Sequence, residues 1–479
     1  MTSWDYNLLT DSFSYNFWDI NVWVVVLQLA IILFTILIAN TIRRKVKLIR
    51  NSLLPTSVIA GVMIFILKFI PAFSEKIISN SFMEMLTYHS LGLGFVALSL
   101  KTGIKTKDKN KMIIMDSGII TVGGYLIQAI VGLAISITLF VTIMPDFFYA
   151  AGLLLPMGFG QGTGQALNFG KVYSSYGFEN GTAFGLSIAA VGFFVACIVG
   201  VVYLNILRKQ GKLAVQQQRK EEANSLSTDI YAEDEAPLSD SIDKLTIQMG
   251  FIFGVYLITY LFILAISTLA TKFAGDFGVN TLRPLFWGFN FLFGSIFAIL
   301  IKKFVHKLRV KKIMKHTYLN NFMMNRISGL FFDIMIVAGI AAIDWKNLIG
   351  VFWPLILTCS LGTVATFAYI KYVCHKIYPD YEYESFFAIF GMLTGTASTG
   401  MILLREIDPN YETPAADNLV LQQLPAILFG APLLLLMTYA AQSLESVLLV
   451  FGIVILLFII YNLILLRKHI FRINKKSSK

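Results

Sequence analysis

The sequence predicts an all-α, polytopic membrane protein with two inverted-topology repeats of five helices, each with a re-entrant hairpin, plus one extra C-terminal helix. Three observations predict this fold class: the apolar composition, the grouping of the basic residues, and two glycine-rich apolar runs. Of the 479 residues, 56% are hydrophobic and 14% are charged, whereas an average soluble domain carries about 25% charged residues. A bilayer is therefore the expected solvent for most of the chain, which excludes a cytosolic enzyme, a nucleic-acid module and a secreted domain.

Thirteen apolar runs follow one another along the chain, and each is too apolar on all sides to form a surface helix. A helix needs about 20 such residues to cross the hydrocarbon core of a bilayer. The runs therefore set the number of candidate spans. They lie near residues 20–42, 53–73, 86–100, 113–143, 147–169, 182–207, 246–271, 281–301, 327–343, 347–373, 385–404, 417–441 and 444–466.

The basic residues are grouped, and 31 of the 39 lysines and arginines fall in six segments between these runs. Basic loops mark the cytoplasmic side of a membrane protein, so we expect all six segments in the cytoplasm. The net charge of +11 then follows the membrane and is no sign of a nucleic-acid partner. The segments are 43–50, 101–111, 208–220, 302–326, 371–376 and 467–479.

Two of the runs conflict with this placement if they cross the membrane completely. A full crossing at 147–169 puts segment 208–220 outside, and a full crossing at 385–404 puts the basic tail outside. We therefore predict a hairpin over 147–181 that enters from outside, and a hairpin over 385–416 that enters from the cytoplasmic side. Eleven full spans remain, with the N-terminus outside and the C-terminus in the cytoplasm.

The tips of both predicted hairpins are poorly suited to a continuous helix. The first reads Gly158-Phe-Gly-Gln-Gly-Thr-Gly164 and the second reads Gly391-Met-Leu-Thr-Gly-Thr-Ala-Ser-Thr-Gly400. Glycine costs a helix about 1 kcal/mol relative to alanine. A break at mid-membrane presents free N–H groups to an anion and free carbonyls to a cation. Tight helix packing through GxxxG pairs is the alternative, but it does not account for the charge placement.

An internal repeat gives the domain organisation. At a shift of 233 residues, the first tip and the residues that follow it (158–186) match the second tip and its following residues (391–419) at six of 29 ungapped positions. We predict a first repeat over 20–207, a cytoplasmic linker over 208–245 and a second repeat over 246–441. Residues 442–479 form the extra C-terminal helix and a basic tail. Opposed repeats with broken helices at the midplane are typical of secondary transporters.

The first glycine-rich tip, followed by Tyr176-Gly-Phe-Glu-Asn180, resembles the bacterial sodium/glutamate symporter family. That family carries a glycine-rich re-entrant loop in each half. Leu54-Pro-Thr-Ser-Val-Ile-Ala-Gly61 and Gln128 match further family features in order, and the likeness runs loosely over 20–441. Two positions depart from the family pattern, because Gln161 stands where His is common and Ser398 where Pro is often found.

The resemblance implies a fold, a function and partners. It implies sodium-coupled uptake of glutamate by elevator-like alternating access, in a homodimer in the bacterial inner membrane. Two alternatives stay open: a cation-coupled symporter for another carboxylate or amino acid, and a gated channel, since paired hairpins also build pores. We do not expect an enzyme, a nucleic-acid partner, or a cofactor other than Na⁺ as the coupling ion.

The candidate site residues lie mainly in the two tips. Their backbone, hydroxyl and amide groups are suited to a small anion, although hydroxyls also cap broken helices and amides also pack helices together. The substrate-binding candidates are Gly160, Gln161, Gly162, Thr163, Gly164, Gln165, Asn168, Thr396, Ser398, Thr399 and Arg405. The Na⁺ candidates are Thr163, Asp333, Thr394 and Thr396.

Three polar residues in apolar runs have competing interpretations. Asp333 is a carboxylate in a predicted span, which is expensive and points to function, although it is also able to pair with Arg326 two helical turns earlier. Arg405 is suited to a substrate carboxylate or to an interfacial position where its stem snorkels. We expect Gln128 to be a helix-packing amide.

Overall fold

The computed structural model of the chain describes residues 20–47, 49, 54–70, 77–101, 111–213, 244–275, 278–314, 318–408 and 413–476. Within these ranges the protein is helical and has no strand. Residues 214–243 of the predicted linker and residues 409–412 of the second predicted hairpin lie outside them. The side chain of Ser398 also lies outside the described set.

Sixteen α-helices occur in the described ranges, and we number them in chain order. They are α1 Ile20–Lys45, α2 Thr56–Leu67, α3 Asn80–Leu100, α4 Lys111–Thr142, α5 Gln161–Ser175, α6 Gly181–Lys209, α7 Lys244–Phe273, α8 Arg283–Gly288, α9 Asn290–Val310, α10 Asn321–Ala341, α11 Phe352–Ile377, α12 Glu382–Thr394, α13 Ala397–Arg405, α14 Ala415–Leu421, α15 Gln423–Ala440 and α16 Leu444–Lys476.

Seven helices in the described part of the chain are long and apolar enough to cross a membrane, which confirms a polytopic helical membrane protein. These spans lie in α1, α4, α6, α7, α10, α11 and α16. The outer faces of such helices carry exposed apolar side chains, for example Phe34, Leu257 and Leu456. A lipid environment satisfies these faces, whereas water does not.

The helices pack in two groups. In the first group, α10 packs on α2 and α3, α9 packs on α3 and α7, and α1 packs on α2. In the second group, α4 packs on α11, α15 and α16, and α6 packs on α5 and α12. The two groups meet mainly along α5, which contacts α3, α8 and α10. The start of α5 is therefore enclosed by both groups.

The apolar run 147–169 does not form one helix. A short 3₁₀ turn over Ala151–Leu153 and a π-helical turn over Pro156–Gly160 precede α5. Gly162 then adopts φ 79° and ψ −169°, a backbone conformation that is essentially restricted to glycine. Regular helix resumes at Thr163. We name residues 156–162 the first break.

The run 385–404 is divided as well. Helix α12 ends at Thr394, α13 begins at Ala397, and the two residues between them are extended or irregular. We name residues 395–396 the second break. Both breaks coincide with the glycine-rich tips that the sequence singles out, and the first begins two residues before its tip, at Pro156.

Two contacts recur in the two halves of the chain. The side-chain oxygen of Gln28 on α1 accepts from the backbone N–H of Ser79, the N-cap residue of α3, at 3.0 Å. The side-chain oxygen of Gln248 on α7 accepts from the N–H of Asn320, the N-cap residue of α10, at 3.2 Å. Each glutamine thus holds the N-terminus of one helix in its own half, α3 for Gln28 and α10 for Gln248.

A second recurring contact joins the halves crosswise. The ammonium group of Lys68, after α2, donates to two carbonyls at the end of α10, and that of Lys302, on α9, donates to two carbonyls at the end of α3. A cation there satisfies helix-end carbonyls and opposes the negative end of the helix dipole.

Candidate functional site

The two breaks touch each other. A Cβ built on Gly162 would lie 3.7 Å from Thr396 Cγ2 and 3.9 Å from the carbonyl oxygen of Gly395. These residues belong to different halves of the chain, so the fold brings together two tips that no local pattern connects. We name this contact the junction.

Two helix N-termini begin at the junction. The regular part of α5 starts at Thr163, directly after Gly162, and α13 starts at Ala397, directly after Thr396. The first N–H groups of a helix have no acceptor within the helix and carry the positive end of its dipole. In α13, the Thr396 hydroxyl caps the Thr399 N–H at 3.4 Å. The remaining first-turn N–H groups make the junction suited to an anion.

Gln165 adds an unpartnered amide in the first turn of α5. Its side chain is 2% exposed, and neither its nitrogen nor its oxygen has a hydrogen-bond partner among the described residues. An unsatisfied buried polar group costs about 1–3 kcal/mol. A ligand that both accepts and donates hydrogen bonds would satisfy this amide.

Gln128 on α4 bridges the two breaks. Its Nε2 donates to the Leu393 carbonyl at 2.9 Å, one turn or less before the second break, and to Thr366 Oγ1 at 3.1 Å. Its Oε1 lies 3.2 Å from the position a Cβ would take at Gly160, in the first break. The sequence predicts a helix-packing amide here, and these two hydrogen bonds join α4 to α11 and α12 as such an amide would. Gln128 is absent from the site candidates predicted from the sequence, and its position beside both breaks makes it a further candidate. Its sequence signals are a polar side chain inside an apolar span and its place in the family resemblance.

Helix α6 packs against both breaks, and Gly192 makes this approach possible. A Cβ on Gly192 would lie 2.3 Å from the Thr394 carbonyl oxygen and 3.0 Å from Phe159 Cδ1. A backbone oxygen this close leaves no room for a larger residue. No sequence pattern distinguishes Gly192 from the other glycines of α6.

Thr163 and Asn168 hold α5 against the first helix group. Thr163 Oγ1 donates to the Met335 carbonyl of α10 at 3.2 Å, and Asn168 Nδ2 donates to the Gly288 carbonyl at the end of α8 at 3.1 Å. The sequence leaves two roles open for the Asn168 amide, ligand binding and helix packing, and this hydrogen bond joins two helices. Thr163 retains acceptor capacity on its hydroxyl oxygen beside the junction.

The hydroxyls of the second tip mainly satisfy their own backbone. Thr394 Oγ1 donates to the Phe390 carbonyl at 2.8 Å, and Thr396 is the N-cap of α13. The buried Thr399 places its hydroxyl 3.3 Å from that of Thr396. Ser398 contributes a backbone position in the first turn of α13. The tip is therefore a capped helix start with two neighbouring hydroxyl groups.

The two charged candidates, Arg405 and Asp333, lie away from the contact between the breaks. Arg405 is exposed at the last position of α13, about 12 Å along the helix from Ala397. Asp333 is exposed, and its carboxylate lies beside the Ser57 hydroxyl of α2. Neither side chain contributes to the contact between the breaks.

The junction is electrically neutral in its side chains. Residues 156–168 and 391–400 include no Lys, Arg, Asp or Glu. Among the residues that the structure describes, no group of three His, Cys, Asp or Glu side chains is placed to hold a metal ion. Helix ends, backbone carbonyls, two glutamine amides and hydroxyls are the chemistry that this site offers.

Comparison with known proteins adds no relative. No protein-family model matches the chain, and a search of the curated proteins finds no match.

Proposed function

We propose that this chain is a secondary active transporter that couples the uptake of glutamate to Na⁺ by alternating access. The observation that carries the proposal is the contact between Gly162 and Thr396, which joins two broken helices inside a polytopic membrane protein. Irregular backbone at membrane depth is stable only where protein or a water-filled cavity surrounds it. Paired breaks of this kind form the substrate sites of secondary transporters.

The substrate in this proposal is a small anion bound at the junction. The N-termini of α5 and α13 supply N–H groups and the positive ends of two helix dipoles. The Gln165 amide supplies one donor group and one acceptor. This set fits a carboxylate beside an ammonium group, as in an amino acid. Glutamate is the first candidate because the sequence resembles the sodium/glutamate symporters.

The proposed membrane arrangement is two inverted repeats with opposed hairpins. The recurring glutamine contacts and the crosswise lysine contacts support equivalent halves. The helix pairs support it too, since α2 packs on α10 as α9 packs on α3, and α1 packs on α2 as α7 packs on α9. In this arrangement the first hairpin enters from outside, the second from the cytoplasm, and the C-terminus is cytoplasmic.

The moving part in this proposal is the helix group that carries both breaks. It meets the other group mainly along α5, through single hydrogen bonds from Thr163 and Asn168 and an ion pair of 2.8 Å between Lys171 and Glu84. Polar contacts of this kind are reversible, and the apolar contacts beside them, such as those of Leu91 and Met335 against Gly164, are non-directional, so both are compatible with an elevator-like displacement. The homodimer and the bacterial inner membrane belong to the proposal through the family resemblance.

Uptake of labelled glutamate into proteoliposomes, with and without an inward Na⁺ gradient, tests the proposal. We expect saturable uptake that requires the gradient and that excess unlabelled glutamate suppresses. Uptake of another carboxylate or amino acid in place of glutamate would show a different substrate and would still support a secondary transporter. A current that does not saturate with substrate would favour a gated channel and overturn the carrier.

A substitution beside the junction tests whether glutamate binds there. Gln165→Leu removes the unpartnered amide, and we expect the KM for glutamate to rise by about tenfold. Gln422→Leu is the matched control, because Gln422 is also fully buried with an unpartnered Oε1, whereas its amide nitrogen donates to the Met392 sulfur of α12 and not to either break. An equal effect of both variants would remove the junction from the proposal.

Cysteine labelling tests the hairpins. The three native cysteines are buried, which keeps the background low. Glu179→Cys, near the end of the first hairpin, should react with an impermeant reagent from outside, and Asp380→Cys, before the second hairpin, from the cytoplasm. Labelling of both from the same side would contradict the opposed entry.

A further inference from the structure

The side-chain amide of Gln128 has a fixed orientation. The Thr366 hydroxyl donates to the Gly362 carbonyl at 2.7 Å, so its oxygen is an acceptor for Gln128. Both this oxygen and the Leu393 carbonyl therefore require the Gln128 nitrogen on their side. The Gln128 oxygen must then point the other way, toward the first break.

The Gln128 oxygen is buried without a partner. The side chain is fully buried, and Oε1 has no hydrogen-bond partner among the described residues. It lies against Gly160, whose other neighbour is the ring of Tyr125. The N–H of Gln161, directly after Gly160, is already donated to the Met157 carbonyl. The local backbone therefore leaves this acceptor free for a ligand.

We propose that Gln128 Oε1 is a ligand of the coupling cation, with Na⁺ held between this oxygen and carbonyls of the first break. Hard cations take oxygen ligands, and backbone that departs from the helix supplies carbonyls for them. The junction contains no carboxylate, so its neutral oxygens suit a monovalent cation better than a divalent one. This inference rests on the proposed function, and it adds a residue outside the glycine-rich tips to the cation site.

The position of Gln128 also gives the cation a way to act on both breaks. Its oxygen faces Gly160 in the first break while its nitrogen holds the Leu393 carbonyl beside the second. An amide held at one end by Leu393 and at the other by a cation fixes the distance between the two breaks. Cation binding then favours the arrangement of the breaks that binds the anion, which gives the positive coupling between cation and anion that coupled uptake uses.

Binding of Na⁺ without substrate tests the inference directly. The unfolding temperature of the detergent-purified protein is measured over a series of NaCl concentrations, with choline chloride at equal ionic strength as the reference. We expect a saturable Na⁺-dependent rise for the wild type. For Gln128→Leu we expect the half-saturating Na⁺ concentration to increase by about tenfold or more, while Gln422→Leu stays within about twofold of the wild type.

A second variant covers the case in which Gln128→Leu fails to fold. Gln128→Asn keeps the amide but shortens the side chain by one carbon, so its oxygen withdraws from Gly160. We expect a weaker Na⁺ response in this variant as well. An unchanged Na⁺ response in either folded variant overturns the inference.

The outcome separates this inference from the proposed function. Suppose that the wild type takes up glutamate with Na⁺ and the Gln128 variants keep an unchanged Na⁺ response. This result would refute Gln128 as a Na⁺ ligand and would still support the proposed transporter. If Gln128→Leu weakens the Na⁺ response but the wild type takes up no glutamate, the result supports the cation site and refutes glutamate as the substrate. Absence of any specific Na⁺ response in the wild type refutes the cation site.

Discussion

Lys68 and Lys302 make the same contact from opposite halves of the chain. Each ammonium group donates to two backbone carbonyls at the C-terminal end of a helix from the other half, at distances between 2.8 and 3.2 Å. The carbonyls belong to Ala341 and Ile343 for Lys68, and to Ser99 and Lys101 for Lys302. Two lysines that cap α10 and α3 crosswise are the pattern expected if α2 with α3 and α9 with α10 are equivalent units.

Removing either lysine should destabilise the protein to a similar degree. Lys68→Met or Lys302→Met leaves two helix-end carbonyls without their donor, and we expect a loss of about 1–3 kcal/mol. The measurement is the thermal unfolding midpoint of each purified variant. Lys303→Met is the control, because the Lys303 side chain is exposed one position along α9. A large shift for one lysine and none for the other would contradict their equivalence.

The conformation of Gly162 gives a second prediction. Its φ of 79° and ψ of −169° strain any L-residue by about 1–3 kcal/mol, although the nearest atom to an added Cβ is 3.7 Å away. We therefore expect Gly162→Ala to fold but to lose about tenfold in uptake rate, since the strain distorts the junction.

The control for this variant is a glycine in open surroundings. Gly250 lies inside α7, and a Cβ there meets no atom within 4 Å. Alanine is favoured over glycine in a helix by about 0.5–1 kcal/mol, so Gly250→Ala should keep the uptake rate and lose no stability. Full uptake by Gly162→Ala would show that the break tolerates an ordinary residue.

The location of both breaks could be predicted from the sequence, because their cause is local. Glycine at every second position from Gly158, and the small residues around Gly395, weaken the helix wherever the rest of the chain lies. Their mutual contact could not be predicted, since it depends on how α4, α6 and α11 pack. The π-helical form of the turn over Pro156–Gly160 could not be predicted either, because glycine spacing indicates a weak helix and not which irregular turn replaces it.

The same limit applies to Gln128. Its residue type says only that a polar group lies in an apolar span. The direction of its oxygen follows from the Thr366 hydroxyl and the Leu393 carbonyl, which are more than 230 residues away in sequence.

Asp333 shows a related limit, because the sequence reveals a charge in an apolar run but not the side of the helix that carries it. Residues two positions apart in a helix differ by about 200° in direction. Met335 contacts Thr163 and Gly164 at the junction through its carbonyl and sulfur atoms. Asp333 therefore points away, toward Ser57.

We expect Asp333→Asn to leave the Na⁺ dependence of uptake unchanged. The substitution removes the charge and keeps the shape, so a carboxylate ligand would be lost while the packing on α2 stays the same. The measurement is the Na⁺ concentration that gives half-maximal uptake, in parallel with Gln128→Leu. A rise in this concentration for Asp333→Asn would indicate that the Asp333 carboxylate takes part in Na⁺ binding.

The extra C-terminal helix leads to the last prediction. An ion pair of 3.0 Å joins Arg467 of α16 to Asp116 of α4, and the Asp116 side chain is only 6% exposed. Tyr461 and Asn462 add hydrogen bonds from α16 to α15 and α11. Helix α16 is therefore attached at one end to three helices of the break-carrying group.

Breaking this pair should affect stability more than substrate selectivity. Arg467→Met leaves the Asp116 carboxylate without its guanidinium, and we expect a loss of about 1–3 kcal/mol, below the 3–5 kcal/mol of fully buried pairs because Arg467 keeps some access to solvent. Combining Asp116→Asn with Arg467→Gln should recover part of this loss, and Arg283→Met, at an exposed arginine, should show none. Thermal unfolding and the ratio of glutamate to aspartate uptake are measured together. A changed ratio at unchanged stability would mean that α16 acts on the site itself and would contradict this expectation.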